Sequence, residues 1–170
     1  MTGQGNHTGG CQCGAVRFRV AGKLGPASIC HCRMCQKAFG GFFGPLVSVE
    51  SGKGKGSGVE WTRGSPDHFA SSNFVKRGFC KNCGTPLTFE HGSDGIELAI
   101  GAFDNPATIA PVSQLAHDVA MPYFDKLHEL PRRDISDGVA NKDSDTKLVS
   151  CQHPDHDTEN WPVSHLKENP

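Results

Sequence analysis

The sequence predicts a small, mainly β domain organised around bound zinc. Hydrophobic residues make up 36% of the 170 residues, against 21 Gly and 11 Pro. Such a balance supports a modest, turn-rich core and favours short strands over long helices. Residues 16–20 alternate apolar and polar side chains, which is the period of a half-buried strand. Seven of the eight cysteines fall into three clusters, Cys11 and Cys13, Cys30, Cys32 and Cys35, and Cys80 and Cys83.

Length and charge narrow the setting. A chain of 170 residues fits one domain. A net charge of −1 gives no general affinity for nucleic acid or anionic membrane. No apolar run approaches the ~20 residues of a membrane span. The start, Met1-Thr2-Gly3-Gln4-Gly5-Asn6-His7, has neither the basic lead nor the apolar segment of a secretory signal. A cytoplasmic location is expected, and cysteines there serve as metal ligands more often than in disulfides.

In chain order, residues 1–10 read as a flexible lead-in ending in Gly9-Gly10. Val16-Arg17-Phe18-Arg19-Val20 follows as a strand, with Val16, Phe18 and Val20 on one face and both arginines on the other. Residues 22–26 read as a turn. Beyond the middle cysteine cluster, Phe42-Phe43-Gly44-Pro45-Leu46-Val47-Ser48-Val49 is rich in the residues strands favour. The Gly, Ser and Lys of residues 51–58 form a mobile loop, because the Gly-Lys-Ser/Thr ending of a phosphate-binding loop is missing. Short strands are predicted over residues 59–63, 67–71 and 74–79, the last delivering the chain into Cys80. Residues 86–90 and 96–100 form two more, joined by the hairpin turn His91-Gly92-Ser93-Asp94-Gly95. Gly101-Ala102-Phe103-Asp104-Asn105-Pro106 closes the β region, and residues 107–133 read as irregular, with Pro111, Pro122 and Pro131 limiting helix length. The chain thus divides into a zinc-binding domain at 9–133 and a polar C-terminal tail at 134–170. Few large apolar residues occur in the tail, which is expected to be irregular, with Trp161 docking back.

The cysteine spacing carries the chemistry. In Cys11-Gln12-Cys13 an extended backbone turns both sulfurs to one face. Cys80-Lys81-Asn82-Cys83-Gly84 is a knuckle turn whose glycine supplies unusual backbone angles. These four complete a closed, structural tetrathiolate site. Cys30, Cys32 and Cys35 remain, and three ligands with one open position is how catalytic zinc sites are built. Two zinc ions are therefore expected. Spacing alone leaves open a partition with Cys11, Cys13, Cys30 and Cys32 on one ion, and a purely structural role for all seven. A redox role lacks the thioredoxin-like βαβ context. His31 sits inside the triad loop, where an intervening residue commonly points away from the metal. Cys151-Gln152-His153-Pro154-Asp155-His156 reads as an incidental surface cluster, and His7, His68, His91, His117 and His128 have no metal spacing.

Three stretches together resemble the glutathione-dependent formaldehyde-activating enzyme and centromere protein V family. They are Gly10-Cys11-Gln12-Cys13-Gly14-Ala15-Val16-Arg17-Phe18, then Cys30-His31-Cys32-Arg33-Met34-Cys35-Gln36-Lys37, then Phe79-Cys80-Lys81-Asn82-Cys83-Gly84-Thr85-Pro86-Leu87. The resemblance, which spans about residues 9–133, implies a compact antiparallel β-tent. It implies structural zinc on Cys11, Cys13, Cys80 and Cys83, and catalytic zinc on Cys30, Cys32 and Cys35. It further implies a carbon–sulfur lyase whose partners are a small thiol such as glutathione and a small aldehyde such as formaldehyde. Where relatives often carry a histidine and a tryptophan, this chain offers Gln114 and Tyr123. Arg33 and Lys37 flank the triad and either face solvent or attract a ligand's carboxylates. A non-catalytic zinc module is the rival, but Lys53, Lys55, Arg132 and Arg133 are too sparse for nucleic-acid binding.

Overall fold

The computed structural model describes residues 5–50, 58–92, 95–133 and 150–162. The first four residues of the expected lead-in, loop residues 51–57, hairpin residues Ser93 and Asp94, and tail residues 134–149 and 163–170 lie outside the described residues. The expected mainly β class is what the chain adopts. Ten strands are described: β1 (Asn6–Gly10), β2 (Arg17–Ala21), β3 (Leu24–Cys30), β4 (Gly44–Val49), β5 (Val59–Arg63), β6 (Asp67–Ala70), β7 (Val75–Phe79), β8 (Pro86–His91), β9 (Gly95–Ala99) and β10 (Ser113–Leu115). One α-helix, α1 (Arg33–Phe39), and four short 3-10 turns accompany them. Among the described residues, no helix is long and apolar enough to cross a membrane.

The strands form a three-stranded sheet, β1-β2-β5, and a seven-stranded sheet, β10-β3-β4-β9-β8-β7-β6. Pairing is antiparallel except between β10 and β3. One apolar cluster joins the sheets, drawing Phe18 and Val20 from β2, Val47 and Val49 from β4, Leu87 from β8 and Leu98 from β9. Phe18 is fully buried and meets Phe103 edge-on at 5.1 Å and Trp61 at 6.0 Å. Burying a side chain of this kind contributes about 1.5–3 kcal/mol.

Three local expectations need correction. Residues 6–10 are not a lead-in but β1, held because His7 pairs with Val20 and Gly9 with Phe18. Their Gly-rich sequence has no strand pattern, so tertiary pairing decides. Residues 24–26 continue into β3 instead of completing a turn. The register with β4 shifts between Leu24 and Ala27, so the irregularity absorbs Pro26, which has no amide to give to a regular ladder. Residues 113–115 also form a strand, β10, whose neighbouring Val112 amide donates to the Ala27 carbonyl at 2.9 Å.

The outer face of β2 holds a further departure. Arg17 alternates away from Phe18 and Val20, yet is only 3% exposed. Its guanidinium donates to both Asp104 oxygens at 2.8 and 2.6 Å and to Asp157 at 3.1 and 2.9 Å. Thr8 also donates to Asp104, at 2.6 Å. The described C-terminal segment, residues 150–162, thus lies against the three-stranded sheet. Trp161 does dock, its indole donating to the Cys13 carbonyl at 2.7 Å, but it acts alongside His153, Asp157 and Thr158.

Candidate metal centres

The Cys11–Cys13 turn lies between β1 and β2, and the Cys80–Cys83 turn between β7 and β8. The fold brings their four sulfurs within 4.8 Å of one another. Cys11 and Cys13 sulfurs are 3.6 Å apart, and Cys13 and Cys80 sulfurs 3.9 Å. Four thiolates around a tetrahedral ion at ~2.3 Å lie about 3.8 Å from each other. The donor set therefore fits a metal ion, and all four cysteines are free thiols, not disulfides. Gly84 has φ +78, as the knuckle requires, and its amide closes the turn onto the Cys80 carbonyl at 2.7 Å. Gln12 crosses to the other turn, its amide donating to the Thr85 hydroxyl at 3.0 Å.

Thiol electrostatics differ around this group. Burial and the neighbouring Cys11 and Cys83 sulfurs push Cys13 well above the usual thiol range. At Cys83 burial opposes ionisation, but hydrogen bonds from Thr85 and Cys13 outweigh it and bring the thiol down to about 6.

The C-terminal segment completes the surroundings. The His153 amide donates to the Gln12 carbonyl at 2.7 Å, and Trp161 satisfies the next carbonyl along. Arg63 donates to the Gly14 carbonyl at 3.1 Å, to the Thr158 hydroxyl at 3.2 Å and to the Thr158 carbonyl. Gly14 has φ +77, and a β-carbon there would overlap the His153 ring. Gly14→Ala is therefore expected to cost about 1–2 kcal/mol from backbone strain alone and to lift the segment off the loop. Urea unfolding measures the first effect, and the shift of the Trp161 indole resonance the second.

The second group lies where β3 runs into α1. Cys30, Cys32 and Cys35 have their sulfurs within 4.8 Å of one another. Cys32 caps α1, its sulfur accepting the Cys35 amide at 3.5 Å. Burial opposes ionisation of Cys32, yet hydrogen bonds from Cys35, Cys30 and Met34 lower its pKa. Burial pushes the Cys30 thiol up to about 12. Cys35 is also raised by burial, against the pull of Arg77. Among the described residues, the groups of cysteines able to hold an ion are this three and the four above. Neither Cys151 nor a mixture of Cys11, Cys13, Cys30 and Cys32 forms such a group there.

Arg77 was not evident from cysteine spacing. It is 4% exposed, and donates to the Cys35 sulfur at 3.2 Å and to the Ser71 hydroxyl at 3.0 Å. The available signal was parity: Val75, Arg77 and Phe79 share one face of β7, so an arginine is carried inward with two apolar neighbours. Arg77 also lines a half-open cleft of about 180 Å³ with Phe39, Phe69 and Phe79.

His31 is fully buried and does not join the sulfur group. Its Nε2 lies 2.9 Å from Gln114 Oε1, and its ring packs edge-on against Phe124 at 4.5 Å and His117 at 5.5 Å. The Gln36 side chain donates to the His31 carbonyl at 2.8 Å, and the Leu115 carbonyl accepts the His31 amide at 2.9 Å. The triad loop is therefore held from β10 and the turns after it. Gln114 acts as a partner of His31, while Tyr123 meets Phe42 edge-on at 5.4 Å. Arg33 and Lys37 are exposed, with Arg33 donating to the Gln36 side chain at 3.2 Å.

These features define a mainly β protein with one group of four and one group of three cysteines able to hold metal ions. The chain belongs to the glutathione-dependent formaldehyde-activating enzyme family, whose model matches residues 6–117. It is also 33% identical over 92 residues to an uncharacterized lyase of Schizosaccharomyces pombe, an alignment covering 50% of this chain and 58% of that protein. The match therefore spans a little over half the length of that relative. The crystal structure of a Rhodobacter sphaeroides protein is 20% identical with a TM-score of 0.46, covering 63% of this chain and 98% of the other.

Proposed function

We propose that the protein is a zinc-dependent carbon–sulfur lyase that adds a small thiol of the glutathione type to formaldehyde or another small aldehyde, and catalyses the reverse. One observation carries this reading: beside a group of four cysteines with tetrahedral spacing stands a second group one ligand short. In this reading Cys11, Cys13, Cys80 and Cys83 hold a structural zinc that ties the β1–β2 turn to the β7–β8 turn. Cys30, Cys32 and Cys35 hold the reactive one. Zinc held by these three cysteines would supply a Lewis acid that lowers the pKa of a bound thiol towards neutrality.

The chain's own residues prepare that position. The Cys35 amide fixes the Cys32 sulfur, Arg77 fixes the Cys35 sulfur, and Gln36 with Gln114 holds the loop through His31. Rigid ligands reduce the reorganisation needed when a substrate arrives. The reaction forms a bond from thiol sulfur to carbonyl carbon and moves the thiol proton to the carbonyl oxygen, so no oxidant or reductant is consumed. A reducing, cytoplasmic setting suits a site built from free thiolates.

The test is NMR exchange spectroscopy of glutathione and formaldehyde with and without protein carrying two zinc ions. Faster exchange between free thiol and hemithioacetal is expected. Unchanged exchange, with both ions present, overturns the assignment.

A further inference from the structure

We propose that Arg77 is the internal counter-ion of the Cys30, Cys32 and Cys35 centre, and a positioning residue that sets its preference for an anionic fourth ligand. This rests on the reading of that centre as a thiol site.

A buried guanidinium is costly unless it is well paired, and its usual partner is a carboxylate. Arg77 departs from that pattern. No carboxylate among the described residues lies within ion-pair distance of it, although Glu97 feels its charge through space, and its hydrogen-bonded partner at the triad is the Cys35 sulfur at 3.2 Å. Its Nε is anchored on Ser71 at 3.0 Å, and its face lies over the Phe89 ring at 4.7 Å. The remaining nitrogen, NH1, is buried without a hydrogen-bond partner. Three contacts therefore fix the guanidinium beside the sulfur, while one arm gains nothing from packing. The arrangement spends stability to keep a positive charge at the triad.

Charge balance gives the reason. Three thiolates around a divalent ion carry one net negative charge, and a thiolate as fourth ligand raises that to two. A fixed guanidinium at van der Waals range of the cluster returns it to one. With a neutral fourth ligand the centre and the guanidinium together carry no net charge, and the pull of the guanidinium on the fourth position is felt by an anion and not by a neutral molecule. The four-cysteine group supplies an internal comparison. Four thiolates would make it the more negative centre, yet the donors beside its sulfurs among the described residues include the neutral Val16 amide at 3.3 Å and the neutral Thr85 hydroxyl at 3.1 Å. The arginine stands instead at the group with fewer thiolates. There it offsets the one negative charge of the three-thiolate centre and lowers the cost of adding a second, which favours an anionic fourth ligand over a neutral one.

The experiment uses the full chain with cobalt(II) in place of zinc, whose visible spectrum reports a change of ligand without any turnover. Wild type, Arg77→Gln and Arg77→Lys are each titrated with 2-mercaptoethanol, which binds as an anion, and with imidazole, which binds neutral. Arg77→Gln is expected to weaken thiol binding about tenfold or more, in the range of lost outer-shell partners, and to leave imidazole binding within about twofold. Arg77→Lys is expected to restore most of the thiol affinity. Wild type that binds thiol, with the same thiol-to-imidazole preference in Arg77→Gln, overturns the role of Arg77 and leaves the thiol site standing. Wild type that takes imidazole but no thiol overturns both. If Arg77→Gln does not fold, Ser71→Ala replaces it, because it frees the Nε anchor at a less buried position. A selective loss of thiol affinity in Ser71→Ala supports the proposal, and an unchanged preference overturns it.

Discussion

Replacing Cys32 by serine is expected to lower the zinc content from about two ions per chain to about one, with the fold retained. Thiol–aldehyde exchange should fall by roughly 100-fold or more, since losing a ligand exceeds the 10–100-fold effect of losing an outer partner. Cys32 caps a seven-residue helix at the edge of the core, and the strands on either side are held by pairing of β3 with β4 and β10. Their hydrogen bonds do not depend on the metal. Cys80→Ser should behave differently. Cys80 is buried in the apolar cluster, and its turn joins distant parts of the chain. Structural zinc sites contribute apparent binding energies of about 10–16 kcal/mol that are also folding energy. That variant is expected to lose its cooperative unfolding transition along with its ion. Elemental analysis paired with circular dichroism distinguishes the two outcomes. Equal zinc loss with equal unfolding in both variants would remove the division into structural and reactive centres.

The second large effect concerns Arg17. Arg17→Met is expected to destabilise the protein by about 3–5 kcal/mol, the usual result of breaking a buried ion pair from one side. For a chain of this length that lowers the melting temperature by roughly 6–20 °C. The loss arises because Asp104, itself largely buried, is left with Thr8 as its side-chain hydrogen-bond donor, while Asp157 keeps only the longer ion pair to Arg19 at 3.7 Å. The pH dependence has a definite sign. Burial alone would raise the Asp104 carboxyl, but hydrogen bonds from Arg17 and Thr8 hold it below the usual carboxylate value. A depressed folded-state pKa contributes stability that is present above the unfolded value of about 3.9 and is lost as pH falls through the folded one. Wild-type unfolding energy should therefore drop steeply below about pH 4, and Arg17→Met should flatten that drop. Urea titrations between neutral pH and pH 3 provide the comparison.

The features legible from sequence were local ones. Period-two alternation identified β2, and short strand-like runs marked β4 to β9, because a strand leaves its signal over a few consecutive residues. The Cys-x-Cys and Cys-x-x-Cys spacings were equally local, and they identified the cysteines that now stand grouped. What escaped depends on distant partners. β1 is a Gly-rich stretch that becomes a strand through β2, and β10 is three exposed residues made into a strand by β3. Alternation also assigns a side without saying what covers it. Arg17 faces away from the core as expected, but Asp104 and Asp157 arrive there from 87 and 140 residues away. Arg77 faces inward by the same rule and finds a sulfur 42 residues upstream. Tail composition was a poor guide for a related reason. Residues 153–161 hold one large apolar side chain, Trp161, and their attachment includes specific polar pairs that composition does not encode.

The docking of His153 and Trp161 on the Cys11–Gly14 turn has a consequence for the order of assembly. His153 follows Cys83 by 70 residues, so during synthesis at ~5–20 residues per second the ribosome releases it roughly 4–14 s after the last of the four sulfurs. For that interval the turn carries its cysteines with two carbonyls still facing water, and an ion has an open approach. The docking residues arrive afterwards, when His153 and Trp161 can take up those carbonyls. The order of synthesis therefore leaves the four sulfurs open to an ion before the segment that covers their turn exists.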